Sequence, residues 1–456
     1  MTHIIVEVSK YLIILLFAIY TFSCFSVFKY RSDNIKKGFY IRQLFLMHAI
    51  QILCYMILYL QSEKSFYLMF YAFVLVFYLL VPSLYRQLYP NASVLLTNNM
   101  CMLSMIGLVM LSRLSTDKAL KQFVILAVSV VVTFIIPLLM RKMTFLKDMT
   151  VIYCILGVIA LTIVMLAGST TYGAKLSLTF FGISIQPAEF VKIIFVFCLA
   201  GMLAKSTNML QVIKATAIAG IHVLLLVASR DLGGALIFFV VYLMMLFIAS
   251  RKPVYLFGGL ALGSVAAFVG YKLFSHVQTR VVAWRDPFSV IDNEGYQITQ
   301  SLFAIGTGSW FGMGLMGGAP QKIPVVEKDF IFSAISEEFG GLFALCLVLV
   351  CCSCFIMFMN IAVQIKGSFY KLVAAGLGII YGFQIFLTIG GVTKMIPSTG
   401  VTLPLVSYGG SSIFATVIIF GIIQGLYILK QKEEVEVLER KSGKRKKAVK
   451  KEKEKL

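Results

Sequence analysis

Residues 331–359 read IFSAISEEFGGLFALCLVLVCCSCFIMFM, and this stretch decides the fold. Its only charged side chains, Glu337 and Glu338, lie near its start; from Phe339 onward every residue is apolar or small. A run of that kind matches the ~20 residues that a helix needs to cross a bilayer. It lacks the two-residue alternation of polar and apolar side chains that marks a barrel strand. Inside lipid a helix satisfies all its backbone groups within the segment, so a chain built from such runs is all-α.

The pattern recurs outward from this stretch. About thirteen candidate spans of suitable length stand at approximately 10–29, 43–61, 66–85, 94–112, 122–140, 149–168, 186–204, 212–229, 231–250, 253–275, 331–359, 368–392 and 411–430. Of the 456 residues, 59% are hydrophobic and 13% charged, and mean hydropathy is +0.91. A soluble chain would carry roughly 25% charged residues. The expectation is an all-α, polytopic integral membrane protein.

The net charge of +21 is gathered in short loops and in the basic tail 431–456, which includes Lys444, Arg445, Lys446 and Lys447. In a membrane protein such clusters mark the cytoplasmic side and favour anionic lipid head groups, so membrane lipids are expected as partners and nucleic acid is not. With the tail inside, the N-terminus comes out external, and Lys36, Lys37, Arg141, Lys142, Arg251 and Lys252 fall inside. One loop breaks the rule: Arg113, Lys118 and Lys121 are basic on the external side. All nine cysteines sit in apolar runs, where they read as small hydrophobes. The four histidines are scattered, without metal-ligand spacing. The first apolar run lacks a small-residue cleavage site and does not read as a signal peptide.

On this topology four external segments stand out: 169–185, the Ser229-Arg230-Asp231 turn, the long stretch 276–330, and 393–410. The third is too long for a plain connector and holds both tryptophans, Trp284 and Trp310. Pro187 opens the span at 186, placing Glu189 and Lys192 on one helix face as a neutralised pair or as the wall of a polar cavity. Asp231 and Asp329 each precede a span, where a carboxylate serves as an N-cap. Glu337 and Glu338 bring further acid to the same region, more than capping needs. The stretch from Pro397 to Ser412 is too rich in Pro and Gly for regular helix, so at membrane depth it must be buried or line a wet cavity. Its Gly and Ser residues entering a helix offer free N–H groups to an anion. No GxxxxGK[ST], GxSxG or HExxH motif is present, which removes a nucleotide loop, a serine-hydrolase elbow and a zincin helix.

In order along the chain, five blocks resemble the SEDS family (shape, elongation, division and sporulation) of FtsW/RodA/SpoVE type. They are Gly173-Ala174-Lys175 with Gln186-Pro187-Ala188-Glu189; Asp231-Leu232-Gly233; Gly295-Tyr296-Gln297 with Gln300-Ser301; Asp329-Phe330-Ile331-Phe332 with Glu337-Glu338; and Pro397 to Ser412. The resemblance covers 149–430 as a catalytic membrane core with the external loop 276–330, preceded by additional N-terminal helices in 1–148 and followed by the tail 431–456. It is similar to a ten-helix core with about three extra helices before it. The resemblance implies a glycosyltransferase that polymerises lipid II into peptidoglycan strands beside a class B penicillin-binding protein. It assigns Asp329 as the essential carboxylate, a general base. Lys175, Lys192, Arg230 and Lys394 are candidates for the leaving diphosphate, with the Ser407, Ser411 and Ser412 turn supplying backbone donors. Gln186, Glu189, Asp231, Gln300 and Glu338 would organise the cavity. A divalent cation (Mg or Mn) would screen the diphosphate, although no motif requires one.

Four positions depart from the family pattern: Ser177 stands for a Trp, Glu327-Lys328 for His-Thr, and Thr388 for an Asn. Two other readings therefore accompany the polymerase. A catalytically weak scaffold for the transpeptidase is favoured by Ser177 and Thr388 and opposed by the retained Asp329. A transporter of lipid-linked precursor would show paired repeats, and the halves share no duplicated motif.

Overall fold

In the computed structural model, residues 2–30, 32–142, 144–171, 174–180 and 183–453 are described. The first helices are α1 (Thr2–Lys29), α2 (Asp33–Ser62), α3 (Phe66–Leu88), α4 (Val94–Leu114), α5 (Thr116–Thr133), α6 (Ile136–Lys142) and α7 (Thr150–Ala167). Next come three short strands, β1 (Ser169–Thr171), β2 (Ala174–Phe180) and β3 (Ile183–Ile185). They are followed by α8 (Pro187–Leu203), α9 (Met209–Ala228), α10 (Leu232–Ser250), α11 (Pro253–Leu273), α12 (Ser275–Arg285) and α13 (Tyr296–Gly308). The chain ends with α14 (Ile331–Gln364), α15 (Ser368–Val392) and α16 (Gly410–Lys453). Among the described residues twelve helical stretches are long and apolar enough to cross a membrane. Every expected span falls on one of these or on α8, whose 17 residues reach about 25 Å.

The helix ends follow from local chemistry. Ser93, Asn208 and Asp231 each accept an N–H from the first turn of α4, α9 and α10, satisfying donors a helix leaves orphaned. Pro187 and Pro253 sit in the first turns of α8 and α11, where a missing N–H costs nothing. The small antiparallel sheet, in order β1-β2-β3, pairs Ser169 with Ser177 and Leu178 with Ile185. It is an addition to the all-helical expectation, built of strands too short to leave a periodic signal.

α4 runs through the centre of the bundle, with 94% of its apolar window buried. Two of its residues carry a polar seam across the helices. Asn99 accepts from Tyr20 on α1 at 3.0 Å and donates to Ser353 on α14 at 2.7 Å, and Asn98 donates to Gln43 on α2 at 3.0 Å. Such amides join helices where lipid offers no alternative partner. Cys154 of α7 and Cys198 of α8 are joined by a disulfide. That corrects the reading of every cysteine as a small hydrophobe; two apolar runs brought side by side carry no spacing signal.

α14 is broken at Gly340, whose φ is 88° and ψ 167°. The backbone groups freed there are taken up by the segment just after α13. Met313 and Gly314 donate to the carbonyls of Glu337 and Glu338, both at 2.9 Å. Gly341 and Leu342 donate to those of Ser309 and Trp310, at 2.8 and 3.2 Å. A β-carbon on Gly312 would stand 2.3 Å from the Glu338 carbonyl oxygen, so only glycine allows this approach.

Candidate active site

The four irregular segments meet at one end of the bundle, called here the loop face. The Lys175 N–H donates to the Ser229 carbonyl at 3.0 Å, and the Gln186 N–H to Ser411 Oγ at 2.9 Å. Arg280 Nη1 reaches the Ser398 carbonyl at 2.9 Å, and Trp284 Nε1 the Lys394 carbonyl at 3.1 Å. The Tyr408 N–H donates to the Glu327 carbonyl at 2.7 Å, and the Ser407 hydroxyl donates to that of Lys328. Segment 393–410 is thus pinned to α12 and to the two residues just before Asp329.

Asp329 precedes α14 by two residues, and the cap position belongs to Phe330, so its carboxylate is not spent as a helix cap. A β-carbon on Gly400 would lie 3.9 Å from Asp329 Oδ2 and 3.8 Å from Arg280 Nη2; the acid and the guanidinium flank the same glycine. Burial pushes the Asp329 carboxyl up to about 6, only partly offset by its own backbone amide and the charges of Arg280 and Lys328. Asp231 does cap α10, through Oδ1 to the Gly234 N–H at 2.9 Å. Burial raises its carboxyl as well; the cap hydrogen bond opposes this, Glu189 adds to it, and Arg280 and Lys192 pull it back.

Behind these acids lies a buried ion pair. Lys192, 3% exposed, donates to Glu189 Oε2 at 2.7 Å and to Gln384 Oε1 at 2.8 Å. Gln384 in turn donates to the Thr402 carbonyl at 3.0 Å. The pair therefore neutralises itself and also ties α8 and α15 to segment 393–410. Thr388, one of the family departures, donates to the Val401 carbonyl at 2.9 Å and holds the same segment. Ser177, another, is buried in the small sheet with its hydroxyl 2.9 Å from that of Ser169.

The other expected residues are placed as follows. Ser412 shares a 2.8 Å hydroxyl contact with Thr402, and buried Ser407 accepts from the Leu403 N–H at 2.9 Å, so both hydroxyls shape the segment. Arg230 and Lys394 occupy left-handed backbone, with φ of 61° and 60°. Lys175 is exposed and directs its ammonium to the Met165 carbonyl at 3.1 Å; its neighbour Gly173 lies outside the described residues. On α13 the hydroxyl of Ser301 reaches Ser333 at 2.6 Å and the Val392 carbonyl at 2.9 Å, with Gln300 half-buried beside it. Glu338 goes to a different partner: fully buried, it accepts from Arg113 Nε at 2.9 Å, while Arg113 Nη2 reaches the Gly318 carbonyl at 3.2 Å. It braces the loop against α4.

Sequence reasoning missed Arg280, Gln384 and Arg113. Arg113 did leave a signal, as a cation on the side expected to be external, and the structure pairs it with Glu338. Lys118, in the first turn of α5, pairs with Glu327. Among the described residues no group of three His, Cys, Asp or Glu side chains gathers at metal-binding spacing. The arrangement offers a carboxylate able to accept a proton near neutral pH, a fixed guanidinium beside it, and a buried ion pair holding the wall.

A family model described as "Cell cycle protein", of FtsW/RodA/SpoVE, matches residues 91–432, which begins just before α4. The chain is 35% identical over 273 residues to the peptidoglycan glycosyltransferase RodA of Mycobacterium tuberculosis (strain ATCC 25618 / H37Rv), across 55% of this chain and 57% of that protein. It is 36% identical over 275 residues to a probable peptidoglycan glycosyltransferase FtsW of Aeromonas salmonicida, across 57% and 68%. The chain thus spans 57% of the length of its mycobacterial relatives. Among solved structures, a chain described under structural coordination of polymerization and crosslinking by a peptidoglycan synthase complex superposes with a TM-score of 0.66 at 23% identity, over 74% of this chain and 98% of that one. Thermus thermophilus RodA follows at 0.56 and 21%, over 74% and 96%. At those identities the structures show a shared fold.

Proposed function

Because this chain belongs to the FtsW/RodA/SpoVE family of cell cycle proteins, we propose that it is a peptidoglycan glycosyltransferase polymerising lipid II, with Asp329 as general base. The observation that carries the reading is the Asp329 carboxyl, raised to about 6 and set beside Arg280 across Gly400. A base works best with a pKa near the operating pH, and a positioned one contributes about 10²–10⁴-fold.

In the proposed step the 4-hydroxyl of an acceptor GlcNAc attacks the anomeric carbon of a donor MurNAc. Its proton passes to Asp329, the new glycosidic bond forms with inversion, and undecaprenyl diphosphate leaves with the bonding pair. The departing charge calls for fixed cations. Arg280 is the best placed, and Arg230, Lys175 and Lys394 stand on the segments that meet around it. Lys192, already committed to Glu189 and Gln384, holds the wall. The lipid tail would lie between helices, open to the bilayer.

Lipid-borne sugars are joined outside the cell, so the loop face is external, the N-terminus external and the C-terminus cytoplasmic. The likeness to a chain from a peptidoglycan synthase complex supports a class B penicillin-binding protein as partner. The test is a gel assay of glycan polymer from purified lipid II, with and without that partner, comparing wild type with Asp329→Ala. Polymer from wild type and none from the variant is expected. Equal polymer from both would remove Asp329 as base, and none from either, with partner binding intact, would leave a scaffold.

A further inference from the structure

Helices α1, α2 and α3 precede the family-matched residues 91–432, yet α1 reaches the segment that leads to Asp329. That segment, 309–318, fills the break in α14 through the four backbone hydrogen bonds described above. From there the chain is held at Gly318 by Arg113 and at Ala319 by Glu337 Oε1 at 2.9 Å. It is held again at Glu327 by Lys118 and the Tyr408 N–H, one residue before Lys328 and two before Asp329.

α1 closes the outer side of this clasp. The Tyr11 ring lies 5.4 Å from that of Phe311, centroid to centroid. A β-carbon on Gly314 would meet Val6 Cγ1 at 3.2 Å. Deeper in the bundle, the Phe17 and Phe343 rings stand 4.3 Å apart, just past the break. The bonds from Tyr20 to Asn99 and from Asn99 to Ser353 then fix the height and rotation of α1 against α4 and α14.

We propose that α1 is a positioning element of the active site, in which Tyr11 and Val6 hold segment 309–318 in the α14 break and so set the place of Asp329. This rests on the glycosyltransferase reading above. A helix broken at membrane depth persists only while other groups satisfy its freed amides and carbonyls. Here those groups belong to 309–314, and the first turns of α14 follow directly from Asp329. Loosening the clasp moves the base relative to its acceptor hydroxyl, and a displacement of ~1 Å costs up to about 10²-fold in rate.

The test compares Tyr11→Ala, Tyr11→Phe and Phe22→Ala in the full-length protein. Phe22 is on the same helix, 68% exposed, and controls for loss of an aromatic side chain facing lipid. Two readouts are taken: hydrogen–deuterium exchange across 309–328, and kcat and KM for lipid II polymerisation. The expected result is faster exchange and a kcat lowered about tenfold, with KM unchanged, in Tyr11→Ala alone. Tyr11→Phe keeps the ring and should match wild type. Unchanged exchange in Tyr11→Ala, or faster exchange with kcat intact, overturns the proposal. Should wild type make no polymer, the enzyme reading fails separately, and exchange alone decides whether α1 holds the clasp.

Discussion

Arg280 and Asp329 can be separated by pH. With its carboxyl at about 6, about nine tenths of Asp329 is ionised at pH 7 and about one tenth at pH 5. As a general base it works only when ionised, so kcat/KM should fall about tenfold from pH 7 to pH 5. Arg280 is one of the charges that hold this pKa down. In Arg280→Gln that pull is gone, the pKa moves upward, and the acidic limb of the profile moves to higher pH. The variant's deficit should therefore be larger at pH 6 than at pH 8. If Arg280 served the diphosphate alone, the deficit would be the same at every pH. The assay is the initial rate of glycan polymer from purified lipid II between pH 5 and 8.5. A wild-type profile flat through pH 6, or an acidic limb unmoved in Arg280→Gln, would refute the coupling.

The same carboxyl predicts a stability gain on its removal. A folded pKa raised from 3.8 to about 6 penalises the folded state by up to about 3 kcal/mol. The penalty is absent below pH 4, grows as pH rises, and is complete above pH 6. Asp329→Asn should thus unfold at higher temperature than wild type at pH 7.5 and level with it at pH 4, read by thermal melts in detergent. Arg113→Ala would leave Glu338 buried without its cation and cost about 3–5 kcal/mol, whereas Arg113→Leu with Glu338→Leu should recover most of that, both measured by denaturant midpoint. Gly312→Ala forces a side chain into backbone at φ 75° and onto the Glu338 carbonyl. At least about 1–3 kcal/mol is expected from the backbone alone, with faster amide exchange at 313 and 314.

The membrane-spanning helices were legible because each is a long apolar window, a property of local composition. Asp329, Asp231 and the Glu189–Lys192 pair were legible because they sit at helix entrances, where a lone carboxylate in apolar surroundings demands a reason. Arg280 was not. It lies in a mixed, partly charged helix whose sequence looks like ordinary loop surface, and only the fold sets it between Asp231 and Asp329. The small sheet was hidden by strands of three and seven residues, and the Cys154–Cys198 pairing by its dependence on how α7 and α8 pack.

On the proposed orientation Arg113, Lys118 and Lys121 are external cations, and two of the three bind acids that flank Asp329. Arg113 pairs with Glu338 near the start of α14, and Lys118 with Glu327 in the loop that carries Asp329. They anchor the chain at Gly318 and Glu327 before Asp329 and at Glu338 after it. A base that must meet a sugar hydroxyl within hydrogen-bond reach needs that fixation. On the proposed reading, the cations of the loop face serve to place the loop that carries the base, and a cluster of cations facing a long loop is a place to look for its anchor.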